Sequence, residues 1–253
     1  MGKYLIGDLV TGLYAAESLE DRFALFERTV QVLGFESCAY TFIPSVLYET
    51  SFNASPRFIH SDTFSSGFIE QYAYERFDKH DFTIKATKEY KLYPMDWQEY
   101  AKSDYLTDSE KSVLKLAQED YQIKHGVSIP VMYEKIGMAG FSFTNSSKDY
   151  SFNALKQENL ETLHLCSKAF NDIAFSRPYS YYRFIPKVLV NLTTKEKIVL
   201  RYVMQGKSMT DLGNSNEGIS KRYGEKILLG LRDKFGNVST HQLVNYVSQL
   251  NLI

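Results

Sequence analysis

The chemically versatile side chains of this 253-residue chain do not assemble into a catalytic pattern. His80-Asp81 is the dipeptide of metal-dependent phosphohydrolases, but no other histidine or carboxylate stands at a recognisable spacing from it. His60, His125, His164 and His241 are scattered and show no metal-ligand spacing. Cys38 and Cys166 are too few for a disulfide framework or a four-thiolate zinc site. There is no phosphate-binding glycine loop and no nucleophile elbow. The expectation is therefore a protein without catalysis, metal or cofactor. The chemistry left is recognition. The 19 Tyr, 17 Phe and single Trp make 15% of the chain, an aromatic surface suited to enclosing a small molecule.

Charge points to a second kind of recognition. Residues 1–186 hold 19 Lys+Arg against 25 Asp+Glu, a balance of −6, whereas residues 187–253 hold 10 against 5, a balance of +5. An acidic body with a small basic tail is the footprint of a nucleic-acid module joined to something else. The length is near the upper limit for one core, and 44% hydrophobic with 23% charged residues is ordinary for a soluble protein. No run reaches the roughly 18 apolar residues of a membrane span. Asp8, Glu17 and Glu20 are wrong for a signal peptide. A cytoplasmic location without membrane contact is expected.

Periodicity supplies the elements that would position these residues. Ser18–Asp21 is a capping signal, after which Phe23, Phe26, Val30 and Leu33 repeat at helical spacing up to Gly34. Ser37–Pro44 and Arg57–Ser61 read as strands. Thr107-x-x-Glu110 opens a helix to about Tyr121. His125–Tyr133 and Ile136–Thr144 read as paired strands around Glu134-Lys135, before a long helix from about Asn153 to Ala174. The order predicts an α+β protein whose N-terminal domain (1–174) is an α/β/α sandwich with an antiparallel sheet and a pocket on one sheet face. Phe175–Pro186, with its tyrosines and two prolines, lies in an expected linker (175–190). Residues 191–253 predict four helices and no strand. Thr193-x-x-Glu196 caps the first, the second starts near Ser208, the third runs from about Ser220 to Phe235, and Ser239-x-x-Gln242 caps the last. Such a bundle is a helix-turn-helix candidate.

The tail resembles the LuxR-type DNA-binding domain. The likeness lies in Leu192–Lys197, Val199-Leu200, Gly206-Lys207-Ser208, Ile219-Ser220, Leu231–Gly236, Gln242–Val244 and Leu252-Ile253. That resemblance implies double-stranded DNA as partner and binding as a homodimer. The helix from Ser220 would read it, with Lys221, Arg222, Tyr223 and Lys226 at base edges and phosphates. Lys207, Ser208 and Thr210 would present amides and hydroxyls to phosphate. The sequence departs from the family at Asp211–Gly218, one residue longer than the usual turn. Asn216 stands at an apolar position, Gly224 replaces a β-branched residue, and Ile227 replaces a histidine. These departures suit an alternative, an antagonist that pairs with another regulator without binding DNA specifically.

Phe68-x-x-x-Tyr72, Asp81 and Trp97, followed by Gly126, are similar in order and spacing to the autoinducer-binding domain of the same family. That likeness implies a small-molecule signal, an N-acyl-homoserine lactone or a related amphiphile. Asp81 would accept from the amide N–H, Tyr72 would donate to the acyl carbonyl, and Trp97 would cover an apolar part. Ser142 is a further donor. Phe68 stands where the family has a tryptophan donating to the lactone carbonyl, and phenylalanine has no N–H to give. Phe82 stands where proline is usual.

Overall fold

A computed structural model describes residues 2–146, 149–176 and 180–253. The chain forms two compact units. The first comprises the residues up to Phe42 with Ser55–Glu134 and Met138–Phe184; the second comprises Ile43–Ala54, Lys135–Gly137 and Ile185–Ile253.

The first part of the chain runs α1 (Gly2–Ala15), α2 (Leu19–Val32), β1 (Ser37–Pro44), α3 (Val46–Glu49), β2 (Phe58–His60), α4 (Ser66–Tyr74), α5 (Phe82–Lys88) and β3 (Met95–Asp96). It continues with α6 (Trp97–Ala101), α7 (Asp108–Glu119), β4 (His125–Glu134), β5 (Gly137–Asn145) and α8 (Asp149–Ser176). The five strands form one sheet in the order β2-β1-β5-β4-β3. β1 pairs antiparallel with β2, Tyr40 opposite Ile59, and β3 pairs antiparallel with β4, Met95 opposite Ser128.

Alternation along the strands divides the sheet into two faces. Phe141 and Phe143 of β5 turn towards α2 and α8, where the Phe26 ring lies 4.4 Å from Phe141 and Phe170 lies 5.3 Å from it. Tyr40 of β1 joins them at 4.7 Å from Phe141 and donates its hydroxyl to Asn171 Oδ1 at 2.9 Å. Each fully buried ring contributes roughly 1.5–3 kcal/mol. Residues of opposite parity, Ala39 and Ser142, line the cavity of the other face. The start of α2 is held by the expected box, with Ser18 accepting from the Asp21 amide at 3.0 Å.

Several elements differ from the periodicity reading. Among them, α3, α5, α6 and the two-residue β3 are too short for a hydrophobic period to register. α8 starts at Asp149, four residues before the expected Asn153. The segment 175–190, expected to be linker, is largely ordered. Phe175 and Ser176 close α8, Ser180–Phe184 is a 3-10 turn, and Lys187–Val190 is a helical turn, α9. Residues 177–179 lie outside the described part. The aromatic content explains the order: Phe175 stacks on Tyr181 at 5.2 Å and both meet Phe42.

The second unit carries α10 (Thr194–Met204), α11 (Met209–Gly213), α12 (Lys221–Lys234) and α13 (Thr240–Gln249). Capping boxes open α10, α11 and α13. Val199, Leu200, Leu212, Leu231, Phe235 and Leu243 are its fully buried centre. Lys234 Nζ reaches Glu196 Oε1 at 3.1 Å. The segment 43–54 is part of this unit: Tyr246 donates to Glu49 Oε2 at 2.9 Å, and Ser51 Oγ to the Gly236 carbonyl at 2.6 Å.

Gly224 has a packing reason. A Cβ there would lie 3.0 Å from Leu212 Cδ2 and 3.0 Å from Met209 Sδ, so these two side chains fill the volume of a branched residue. Gly224→Val is expected to overpack α11 against α12 and to cost about 1–3 kcal/mol in chemical denaturation. Wild-type stability in that variant would contradict the close α11–α12 packing.

Candidate functional site

The cavity on the sheet face turned away from α2 and α8 takes in about 560 Å³, its open mouth included. Phe68, Tyr72, Asp81, Trp97 and Ser142 all line it. They come from α4, the start of α5, the start of α6 and β5, so four separate elements converge.

Local chemistry sets each side chain. Ser65 caps α4 by accepting from the Phe68 amide at 3.2 Å, which starts the helix that buries Phe68 and Tyr72 on one face. Asp81 caps α5: Oδ1 accepts from the Thr83 amide at 2.8 Å and from the Thr83 hydroxyl at 2.6 Å. Its other oxygen, Oδ2, accepts from the Tyr72 hydroxyl at 2.7 Å. Burial first, and the neighbouring Asp81 charge and hydrogen bond second, push the Tyr72 phenol well above the usual tyrosine range. Tyr72 is consequently a protonated donor at neutral pH. A carboxylate offers about four lone pairs. Three are engaged, and one on Oδ2 is left for a ligand donor.

Trp97 opens α6 behind the Asp96 cap. Its Nε1 donates to Ser128 Oγ at 2.9 Å, and Ser128 Oγ lies 3.0 Å from Ser142 Oγ. The indole lies directly over Gly126: a Cβ at that position would fall 2.2 Å from Trp97 Cδ2 and Cε3. Gly126→Ala must therefore displace the ring from Ser128. The expected cost is at least about 1–3 kcal/mol, with shifted Trp97 emission in the folded state. An unchanged denaturation midpoint and emission maximum would refute this close approach.

The rest of the wall is aromatic and aliphatic. Phe58 of the wall stands edge-on to Tyr72 at 5.4 Å, and two rings outside the lining back it, Phe77 at 6.0 Å from Tyr72 and Tyr121 at 5.5 Å from Phe68. Glu110 also lines the cavity. Burial opposes its charge, but the amide and hydroxyl of Thr107 and the Lys85 ammonium outweigh that and hold its pKa below the usual range. Ser128 and Thr83 were missed from the sequence, although the alternation Val127-Ser128-Ile129 marks Ser128 as a polar residue on the cavity face.

The histidines do not converge. His80 is exposed where it lines the cavity, and His125 is buried against Phe152, with Nε2 3.3 Å from Asp149 Oδ1. Among the described residues no group of three His, Cys, Asp or Glu is arranged to hold a metal. Cys38 and Cys166 are buried thiols, and burial pushes Cys166 up to about 11.

In the second unit Lys221, Arg222 and Lys226 are exposed on α12, and Tyr223 is half exposed with Lys195 Nζ 5.0 Å over its ring. Lys207 and Thr210 are exposed near α11. Ser208 differs from the expectation of free donors: its amide and hydroxyl both donate to Asp211 Oδ2 at 2.7 Å, completing the α11 cap. Asn216 is exposed, and Ile219 is buried instead. Ile227 is half buried, in a shallow groove with Tyr223 and Thr193.

Comparison with known proteins gives a consistent picture. A family model for the autoinducer binding domain matches residues 18–173. The crystal structure of Escherichia coli SdiA superposes with a TM-score of 0.57 at 14% identity, covering 98% of this chain and 97% of that one. SdiA in complex with octanoyl-rac-glycerol gives 0.56 at 13% identity, covering 97% of this chain and 93% of that one. CepR2 from Burkholderia cenocepacia, an N-acylhomoserine lactone-dependent LuxR family transcription factor, gives 0.54 at 14% identity, over 70% of this chain and 99% of that one. At such identities the likeness is one of fold. A search of curated proteins found no match. Among the described residues no helix is long and apolar enough to cross a membrane.

Proposed function

The chain belongs to the autoinducer-binding-domain family, and from that membership we propose that it senses an N-acyl amide signal in its cavity and binds DNA through α12. Membership makes it a signal-binding regulator of the LuxR type rather than an enzyme. The observation that carries the finer reading is the Tyr72–Asp81 pair, a protonated donor and a carboxylate 2.7 Å apart in a cavity lined mainly by aromatic and aliphatic side chains. An amide N–H fits the lone pair left on Asp81, its carbonyl fits a hydroxyl donor, and an acyl chain fits the apolar wall. The class includes N-acyl-homoserine lactones.

Linkage then connects signal to DNA. A ligand bound only by the folded sensor stabilises it, by about 2.7 kcal/mol at a concentration 100 times its Kd, and shifts the population towards the DNA-competent form. Two copies on two half-sites multiply the modest affinity of one small basic module, which favours a homodimer. The exposed Lys221, Arg222 and Lys226 in a segment of net charge +5 support α12 as the DNA-facing helix.

The test is a thermal-shift panel of N-acyl amides on the purified protein, paired with selection from a random duplex pool at two salt concentrations. Saturable stabilisation and salt-dependent enrichment of a dyad-symmetric sequence are expected. Stabilisation without any duplex enriched would favour the antagonist that pairs with another regulator.

A further inference from the structure

We propose that Lys156 is a positioning residue of the cavity: reaching from α8, it holds the Asp96 cap of α6 and so fixes the Trp97 indole at the signal site. This rests on the reading of the cavity as a signal site and adds to it a residue that does not line it.

Trp97 is the first residue of α6, a helix of five residues. So short a helix does not hold its own conformation, because nucleation is costly and few internal bonds repay it. Its place is set by what grips its start. Asp96 does this with one oxygen, Oδ1, which accepts from the Gln98 amide at 2.8 Å and from the Glu99 amide at 3.0 Å. Lys156 Nζ donates to the other oxygen, Oδ2. In the sheet, Asp96 stands opposite Val127, and Met95 stands opposite Ser128, which accepts from Trp97 Nε1. The indole is thus held by Ser128 at its ring nitrogen and by the Asp96 cap at its backbone.

Lys156 comes from the helix that packs on the far face of the sheet, against Phe141. Its Nζ lies 5.3 Å from the centroid of Phe152, a buried ring stacked on His125 at 4.5 Å. The Lys156 and Asp96 side chains are only 13% and 9% exposed. An exposed ion pair counts for little, but removing one partner of an enclosed pair leaves the other charge buried and uncompensated. The Glu99 carboxylate reaches the same ammonium, at 3.7 Å, so without Lys156 two acidic groups lose one shared cation. Asp96 is relieved by turning to water, which releases both amides and the start of α6, and Trp97 moves with it. An apolar pair often serves stability as well as a buried ion pair does. It cannot hold the oxygen that caps α6.

The test compares Lys156→Met, Lys156→Arg and Asp96→Asn in the full chain, below the unfolding temperature of each. Methionine keeps a stem over Phe152 and removes the charge, and arginine keeps the charge. Asparagine keeps an oxygen for the two amides and turns a donor towards Lys156. The readouts are the emission maximum of Trp97 without ligand and the midpoint of titration with N-octanoyl-homoserine lactone. Lys156→Met and Asp96→Asn should each shift the emission and raise the midpoint roughly 5-fold or more, while Lys156→Arg stays near wild type. The two effects should not add in the double variant, since both break one bond. Wild-type emission in Lys156→Met, or in Asp96→Asn should the first variant not fold, overturns the proposal. So does a raised midpoint with unshifted emission, or a defect as large in Lys156→Arg. A wild type that does not bind the lactone counts against the amide reading of the cavity, and the ligand-free emission then decides by itself whether Lys156 sets Trp97.

Discussion

Asp81→Asn is expected to weaken binding of an N-acyl amide about 5- to 150-fold while leaving the protein folded. Asparagine is as good a helix cap as aspartate, so its carbonyl oxygen can still accept from the Thr83 amide and hold the start of α5. Its amide nitrogen then occupies the place of Oδ2, and a ligand N–H meets a donor instead of a lone pair. Leaving that donor unpaired costs roughly 1–3 kcal/mol, which sets the fold-change. Tyr72 tolerates the exchange because its hydroxyl can turn to accept. Asp81→Ala is a harsher version: it removes the cap, at about 0.5–2 kcal/mol, and orphans the buried Tyr72 hydroxyl. Tyr72→Phe should cost less than either, since the ring still packs between Phe58 and Phe68. The readout is ligand-dependent thermal stabilisation. Equal stabilisation of wild type and Asp81→Asn would show that the carboxylate does not anchor the signal.

Lys221→Glu combined with Arg222→Glu is expected to abolish DNA binding. Both side chains are exposed in the first turn of α12, so they contribute little to stability, within about 0.5 kcal/mol. Each substitution changes the charge by two, which takes the segment 187–253 from +5 to +1. Losing two phosphate contacts should lower the slope of log affinity against log salt by about 1.8. Repulsion from two new carboxylates removes most of what affinity is left. Ligand-dependent stabilisation should persist, since neither residue lines the cavity. A double variant that shifts the selected duplex as well as wild type would remove α12 as the DNA-facing helix.

The secondary structure was legible wherever a period or a cap ran long enough. Ser18, Thr107, Thr193 and Ser239 each open the helix that their spacing to an acidic or amide residue predicts. The strand Ile136–Thr144 was legible too, and in the structure its alternation puts Phe141 and Phe143 on one face and Ser142 on the other. Phe68, Tyr72, Asp81, Trp97 and Ser142, singled out by their likeness to a signal site, all line one cavity. Three things were not legible. The Tyr72–Asp81 bond depends on the turn between α4 and α5, which has no periodicity. Ser128 stands out in its strand's alternation, but its partners Trp97 and Ser142 come from α6 and β5, contacts that the local sequence does not contain. The order in segment 180–184 comes from Tyr181 packing on Phe42 and Phe175, a tertiary effect that local proline and tyrosine content masks as linker.

The single tryptophan offers the most direct test of the signal site. Trp97 lines the cavity and is bonded to Ser128, so its emission reports occupancy of this site and of no other tryptophan's surroundings. Titration of the purified protein with an N-acyl amide, N-octanoyl-homoserine lactone, should give a saturable change in Trp97 emission. The same midpoint should appear in Lys221→Glu/Arg222→Glu, and one at least 5-fold higher in Asp81→Asn. Thermal stabilisation by the ligand with no change in Trp97 emission, or an unchanged midpoint in Asp81→Asn, would contradict the account.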